Sequence, residues 1–270
     1  MKCNFSYLHY KEILEIALRS NYNFINFFEF INKDKFEKKD KFLNEKICIL
    51  RHDIDYETEK IYSIAKIEYD LGINSTYFFQ SCSKVYNSRE KETVKIAKEL
   101  FKMGHQIGVH LDLSWYQDIS KQNILTYFNK EKTLLSNILD IDIIDIFSCH
   151  NPHKIKNFIL DKTIQGVRHT YEPIFFSKIK YLSDSQGWYE GCICKIFKES
   201  KYYKIQLLTH PYIWDENPDK DFTHDMAKMI SNKTKDLYDY TIKNHPICKK
   251  NKDELKNQII RKINRQLGRL

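Results

Sequence analysis

Asp53 and Asp55 close the run Ile47-Cys48-Ile49-Leu50-Arg51-His52-Asp53-Ile54-Asp55, with one isoleucine between them. In an extended chain that spacing points both carboxylates to one side, about 7 Å apart. Carboxylates this close repel each other unless a cation or a shared proton relieves them. One reading puts a divalent metal on one aspartate and leaves the other as a base. The other reading is a pair of strand-end acids salt-bridged to Arg51 and neighbouring lysines. The residue types alone leave both open.

Histidines recur downstream in similar company. Gly104-His105-Gln106-Ile107-Gly108-Val109-His110-Leu111-Asp112 carries two, and Ser148-Cys149-His150-Asn151-Pro152-His153 carries two more. Gln206-Leu207-Leu208-Thr209-His210-Pro211 carries another. A lone histidine in an apolar strand is more often a hydrogen-bonded core residue than a ligand. Several converging with aspartates offer nitrogen and oxygen donors suited to zinc or another first-row divalent ion. His105 is five residues from His110, so strand parity sends it to the opposite face as a structural residue. His52 reads as a hydrogen-bonded spacer, and Arg51 as a group that orients an aspartate or contacts a substrate. Cys149 lies in a buried, β-rich run and reads as packing rather than as a nucleophile. Tyr77, Phe78 and Phe79 read as core. Trp115 and Trp188 suit a sugar platform and a packing role equally.

These residues need strands to hold them. Ile47 to Leu50 is a short, β-branched apolar run that reads as a buried parallel strand, with the charged cluster at its C-terminal end. That end is where α/β folds carry chemistry. The pattern continues as a helix over 56–71 closed by Gly72, a strand over 75–80 and a helix over 90–103 closed by Gly104. A strand over 105–113, a helix over 122–139 and strands over 141–149, 179–182 and 203–209 follow. Such alternation predicts a parallel sheet or barrel. Upstream, residues 1–46 form a lead-in: a helix over 7–19, a strand or short helix over 24–30, and a charged connection over 33–46 with no core role. The interval 166–191 reads as loops with short strands. A catalytic domain is expected over 1–215 and a basic helical extension over 216–270.

The chain has 270 residues, enough for one barrel-sized domain, and 42% hydrophobic content supports a real core. Lys and Arg number 44 against 36 acids, and the net charge of +8 favours an anionic partner such as a phosphate, nucleotide-sugar, acidic glycan or lipid. No nucleic-acid-binding motif is present. With only 7 glycines, neither GxGxxG nor GxxxxGK occurs, which excludes a glycine-rich phosphate loop. The seven cysteines are odd in number, scattered and without CxxC. That argues against a disulfide framework or zinc ribbon and for free thiols in a reducing compartment. No stretch approaches the ~18 apolar residues of a membrane span, and the first residues lack the pattern of an export signal. The expectation is a soluble, cytoplasmic protein.

Together these motifs resemble the NodB-type polysaccharide deacetylases (carbohydrate esterase family 4), in a divergent branch that writes its first motif RHDxD. The resemblance rests on Arg51-His52-Asp53-Ile54-Asp55, on Ala65, Glu68, Gly72, Ile73 and Ser75 to Phe79, and on the run from Gly104 to Asp112. Weaker matches are His150-Asn151-Pro152, Ser183 to Trp188 and Leu207 to Pro211. The resemblance implies a distorted (β/α) barrel and metal-dependent removal of an acetyl group from a sugar. It implies Asp53 as general base, Asp55 and His110 as metal ligands and His210 as general acid. Asp184 and Trp188 match the motif that orients that histidine and lines the sugar pocket, and Arg51 is grouped with them as substrate-binding. Two departures stand out. The family's adjacent aspartates are separated here by Ile54, which leaves the two roles interchangeable. The second metal histidine falls at position 114, which is Ser114. His150 is the first choice for the missing ligand and Asp112 the second.

The function expected is a deacetylase acting on an amino sugar or glycan precursor, lipid-linked or nucleotide-linked, in surface polysaccharide assembly. The alternative is a carbohydrate-binding protein of this fold without catalysis. A third reading, from another class, is an anionic-surface binder led by the basic tail.

Overall fold

The structure is a computed structural model that describes residues 4–36, 42, 44–56, 59–152, 163–164, 166–185, 187–188, 191–217 and 222–268. The chain divides into two compact units, Met1–Pro218 and Asp219–Leu270. In the first, the described strands are β1 (Asn23–Phe24), β2 (Ile47–Asp53), β3 (Thr76–Phe79), β4 (Gln106–Leu111), β5 (Ile146–Cys149), β6 (Arg168–His169), β7 (Lys180–Ser183) and β8 (Lys204–Thr209). Every pairing is parallel, in the order β6-β5-β4-β3-β2-β8-β7, and β1 lies against the first half of β2. This is the expected distorted (β/α) barrel.

Period-two alternation explains the packing. On β2, Ile47 and Ile49 face the inside, where Phe78 of β3 and Ile146 of β5 join them. Cys48 and Leu50 face outward. The inside is filled from below by helix α2 (Phe27–Phe36), through Phe27, Phe30 and Ile31, and by Phe42 and Phe175. Gly108 of β4 is required here: a Cβ at that position would lie 2.6 Å from the Phe78 ring and 3.2 Å from the Ile146 carbonyl oxygen.

Two helical layers cover the outside. On one flank, α3 (Ile61–Asp70), α4 (Lys91–Lys102) and α5 (Lys121–Leu139) pack on Tyr77, Phe79, Ile107, Val109 and Leu111. In α4 the buried positions are Thr93, Ile96, Ala97 and Leu100, one face at helical spacing. Burying Ile96 and Leu100 stabilises the unit by ~1.5–3 kcal/mol each. Gly72, at φ +69°, ends α3, and the next amide, Ile73 N–H, bonds back to the Glu68 carbonyl. On the other flank, α1 (Tyr7–Arg19) and α7 (Ile193–Lys198) cover Cys48, Leu50, Ile205 and Leu207. A short helix α6 (Ile174–Ser177) precedes β7.

Two expectations need correction. Residues 33–46 are not merely a charged connection: α2 runs to Phe36, and Phe42 is buried in the barrel interior. The sequence hid this because Phe42, one of several aromatics in the barrel floor, stands among lysines. The strand expected from position 141 begins only at Ile146. Asp140, in the left-handed region at φ 54°, ends α5, and the chain must turn before it meets β4.

The second unit holds α8 (Phe222–Asn244), α9 (Pro246–Lys250) and α10 (Lys252–Leu267). The Tyr238 hydroxyl ties α8 to the start of α10 by donating to the Lys252 carbonyl. No helix among the described residues is long and apolar enough to cross a membrane.

Candidate active site

The C-terminal ends of β2, β4, β5 and β8 bring the sequence-selected residues together. Arg51 and Asp53 share the inward parity of Ile47 and Ile49 and are buried. Asp53 Oδ2 accepts from Ser148 Oγ at 2.8 Å and lies 3.5 Å from Arg51 Nη2. Its Oδ1 is buried and has no hydrogen-bond partner. One oxygen is therefore held and the other is uncommitted.

Asp55, just beyond the strand, meets two imidazoles. His110 Nε2 and His150 Nδ1 each lie 2.9 Å from Asp55 Oδ1, and 3.2 Å from each other. Burial works against the Asp55 charge, but hydrogen bonds from His110 and His150 outweigh it and hold the carboxyl far below the usual range. His150 is pushed up: burial opposes this, and the Asp55 hydrogen bond and charge overcome it.

His210 ends β8. Its Nδ1 donates to Asp184 Oδ1 at 2.6 Å, and its backbone N–H donates to Asp184 Oδ2 at 2.9 Å. Trp214 Nε1 also donates to Asp184 Oδ2, at 3.0 Å. The far nitrogen of His210, Nε2, faces Asp55 Oδ2 at 3.6 Å. Burial alone would lower the His210 pKa, but the Asp184 charge and hydrogen bond raise it to about 9.

The residues present fit a divalent metal. Asp55, His110 and His150 offer one oxygen and two nitrogens, all within 4.8 Å of one another. An N,N,O set of this kind suits zinc or a neighbouring first-row ion. The second His110 nitrogen, Nδ1, is buried without a hydrogen-bond partner and sits 3.9 Å from Asp53 Oδ2. A ligand imidazole commonly turns its other nitrogen toward a carboxylate in this way. Ser114 is exposed, and its backbone N–H donates to Asp112 Oδ1 at 2.9 Å in the 3-10 turn Leu113–Trp115. Asp112 is thus spent on capping that turn, whereas His150 stands in the cluster.

Two of the residues grouped as substrate-binding, Arg51 and Asp184, lie enclosed. Arg51 is wholly buried, with its guanidinium 5.0 Å from the Tyr171 ring and its Nη2 donating to the Tyr171 hydroxyl at 3.1 Å. A side chain so enclosed orients Asp53. Asp184 is also buried, and His210 and Trp214 occupy both its oxygens. Trp188, also expected to contact substrate, stacks on Phe5 at 6.0 Å and tilts against Trp214 at 6.3 Å. Trp115 is exposed, with Lys84 over its ring. Cys149 is buried on the outer face, and burial pushes its thiol up to about 12.

Behind the site, Glu68 is buried in α3 and gathers polar groups. Ser75 Oγ donates to it at 2.6 Å, Tyr77 Oη at 2.9 Å, and Tyr10 Oη also donates. His52 Nε2 lies 2.8 Å from Glu68 Oε1, and its Nδ1 meets Thr209 Oγ1 at 2.7 Å. His105 Nδ1 accepts from the Ser75 backbone N–H at 3.2 Å, on the far side of β4 from His110. The sequence reasoning gave Ser148, Tyr171 and Glu68 no role. Parity with His150 could have found Ser148; nothing local marks Tyr171.

No protein-family model matches the sequence, and no curated protein does. Solved structures are similar to it at low identity. The chitin deacetylase from Colletotrichum lindemuthianum is 14% identical, with a TM-score of 0.44 over 70% of this chain and 83% of that one. The deacetylase PplD of Streptococcus pyogenes is 14% identical, with a TM-score of 0.41 over 85% of this chain and 89% of that one. A family 4 pseudoenzyme from Bacillus anthracis is 13% identical, with a TM-score of 0.38 over 72% of this chain and 62% of that one.

Proposed function

We propose that this chain is a metal-dependent hydrolase that removes an acyl group, acetyl first, from the nitrogen of an amino sugar or glycan precursor. One observation carries the reading. A carboxylate with one uncommitted oxygen, Asp53, and an imidazole held by its own aspartate, His210, flank the Asp55–His110–His150 donor set.

A divalent ion on that set, zinc first, would supply a Lewis acid and a water whose pKa is lowered to about 7. Asp53 Oδ1 takes the proton from the attacking water, while Ser148 and Arg51 hold Oδ2 in place. His210 Nε2 donates a proton to the leaving amine, and Asp184 keeps Nδ1–H oriented and supports the positive ring. The net charge of +8 supports a phosphate-bearing, lipid-linked or nucleotide-linked substrate for surface glycan assembly. The scattered, odd set of cysteines supports a cytoplasmic setting.

The test is acetate release from N-acetylated sugars, free, oligomeric and nucleotide-linked, by zinc-replete protein. Release that stops with chelator and returns with zinc is expected. Binding of such sugars without release by replete protein would favour the non-catalytic reading that Ser114 prompted.

A further inference from the structure

We infer that His9, Cys192 and Cys194 form a second metal site, for a thiophilic ion of the zinc class, that clamps α1 to the segment leading into α7. The three donors lie within 4.8 Å of one another and share no residue with the Asp55 cluster. His9 Nε2 is 3.0 Å from Cys192 Sγ, and Cys194 Sγ is 3.0 Å from Cys192 Sγ. Bonds of 2.0–2.3 Å to a tetrahedral ion need donors about 3.3–3.8 Å apart. The two sulfurs have to part by about 0.8 Å and the nitrogen–sulfur pair by about 0.5 Å to take the ion.

The chain builds this site locally. Cys192 caps α7 with extended backbone (φ −59°, ψ 134°) and Cys194 follows in the first turn, which returns both sulfurs to one side. His9 stands in the first turn of α1, where Ser6 Oγ accepts from its backbone N–H at 3.0 Å. Glu12 Oε2 meets His9 Nδ1 at 2.8 Å. That carboxylate places the ring proton on Nδ1 and turns the Nε2 lone pair to the sulfurs, the arrangement usual behind a metal-bound imidazole. His9 is buried and both cysteines are half-buried, so the donors are ordered and an ion can enter. Among the described residues no cysteine forms a disulfide. Binding breaks the two S–H bonds and releases two protons as both thiolates coordinate.

The test is cobalt and zinc titration of the reduced full chain. Only sulfur donors give a thiolate-to-cobalt charge-transfer band, so the Asp55 cluster is silent in this readout. One equivalent of cobalt should raise the band and release protons, and zinc should bleach it. Cys192→Ser with Cys194→Ser should abolish the band and remove one equivalent of bound zinc. Cys82→Ser and Cys248→Ser should leave it intact, as should Asp55→Asn. Glu12→Gln should weaken zinc binding about 10–100-fold. A folded protein, checked by circular dichroism, that shows no band, or a band surviving the double substitution, would overturn the site. A Cys192–Cys194 disulfide persisting in freshly reduced protein would do the same.

Discussion

A single imidazole stands between Asp53 and Asp55: His110 Nδ1 lies 3.9 Å from Asp53 Oδ2, and His110 Nε2 lies 2.9 Å from Asp55 Oδ1. One carboxylate thus belongs to the donor set and the other flanks it. His150→Ala and His110→Ala should each lose the bound divalent ion and lower kcat/KM for deacetylation by more than about 100-fold. Ser114→Ala should leave metal content unchanged, because Ser114 is exposed and His150, not Ser114, stands beside Asp55 and His110. Metal analysis of the three purified variants checks this; metal loss in Ser114→Ala alone would reverse the assignment.

Under the proposed mechanism the Asp184–His210 pair should set an alkaline limit. Although burial lowers it, the His210 pKa is raised by Asp184 to about 9, so the protonated ring, the form the proposed mechanism needs as donor, is present below that pH and lost above it. Asp184→Asn removes the largest raising contribution. The alkaline limb of kcat/KM should then move down toward the ordinary imidazole value of about 6.5. A full pH profile of both proteins is the measurement. An unmoved limb would remove His210 from the proton-donating role.

Much of this was legible because two periodicities wrote it plainly. Period-two alternation in Ile47–Asp53 put Arg51 and Asp53 on one face and His52 on the other, and the structure keeps that division. His105 and His110 separate for the same reason. What escaped depends on contacts between distant segments. Phe42 looked like one aromatic among lysines, and only the curled sheet shows that it fills the floor. Tyr171 reaches Arg51 across 120 positions of chain. The sequence left Arg51 either orienting an aspartate or contacting a substrate, and only packing reveals its enclosure beside Asp53.

Arg51 and Asp53 form a buried ion pair at 3.5 Å, and removing one partner leaves a charge without its counterpart. Arg51→Met should destabilise the protein by about 3–5 kcal/mol. Arg51→Met combined with Asp53→Asn should recover a good part of that loss, since neither charge of the pair remains. Urea unfolding of the single and double variants reads the difference. Strict additivity would mean that Arg51 acts through packing on Tyr171 and Tyr181 rather than through Asp53.

Glu68 makes the protein sensitive to acid from outside the site. Burial would raise its pKa, but the His52 charge and contact, then His105 and Ser75, lower it from 4.5 to about 2. A depressed carboxylate contributes stability that is present above the unfolded value and is lost as pH falls through the folded one. The window therefore runs from pH 4.5 down to about 2, and the full contribution is on the order of 3 kcal/mol. His105 adds to the loss from higher pH: burial lowers its pKa, so the unfolded chain takes up that proton first as pH falls below 6.5. Glu68→Gln keeps the shape and removes the charge. It should lower stability at neutral pH and flatten the stability curve between pH 4.5 and 2; the one amide oxygen accepts either from Tyr10 or from Ser75 and Tyr77, which donate to opposite oxygens of the carboxylate. Unfolding free energies across that range decide it, and an equally steep curve in the variant would place the acid sensitivity in another carboxylate.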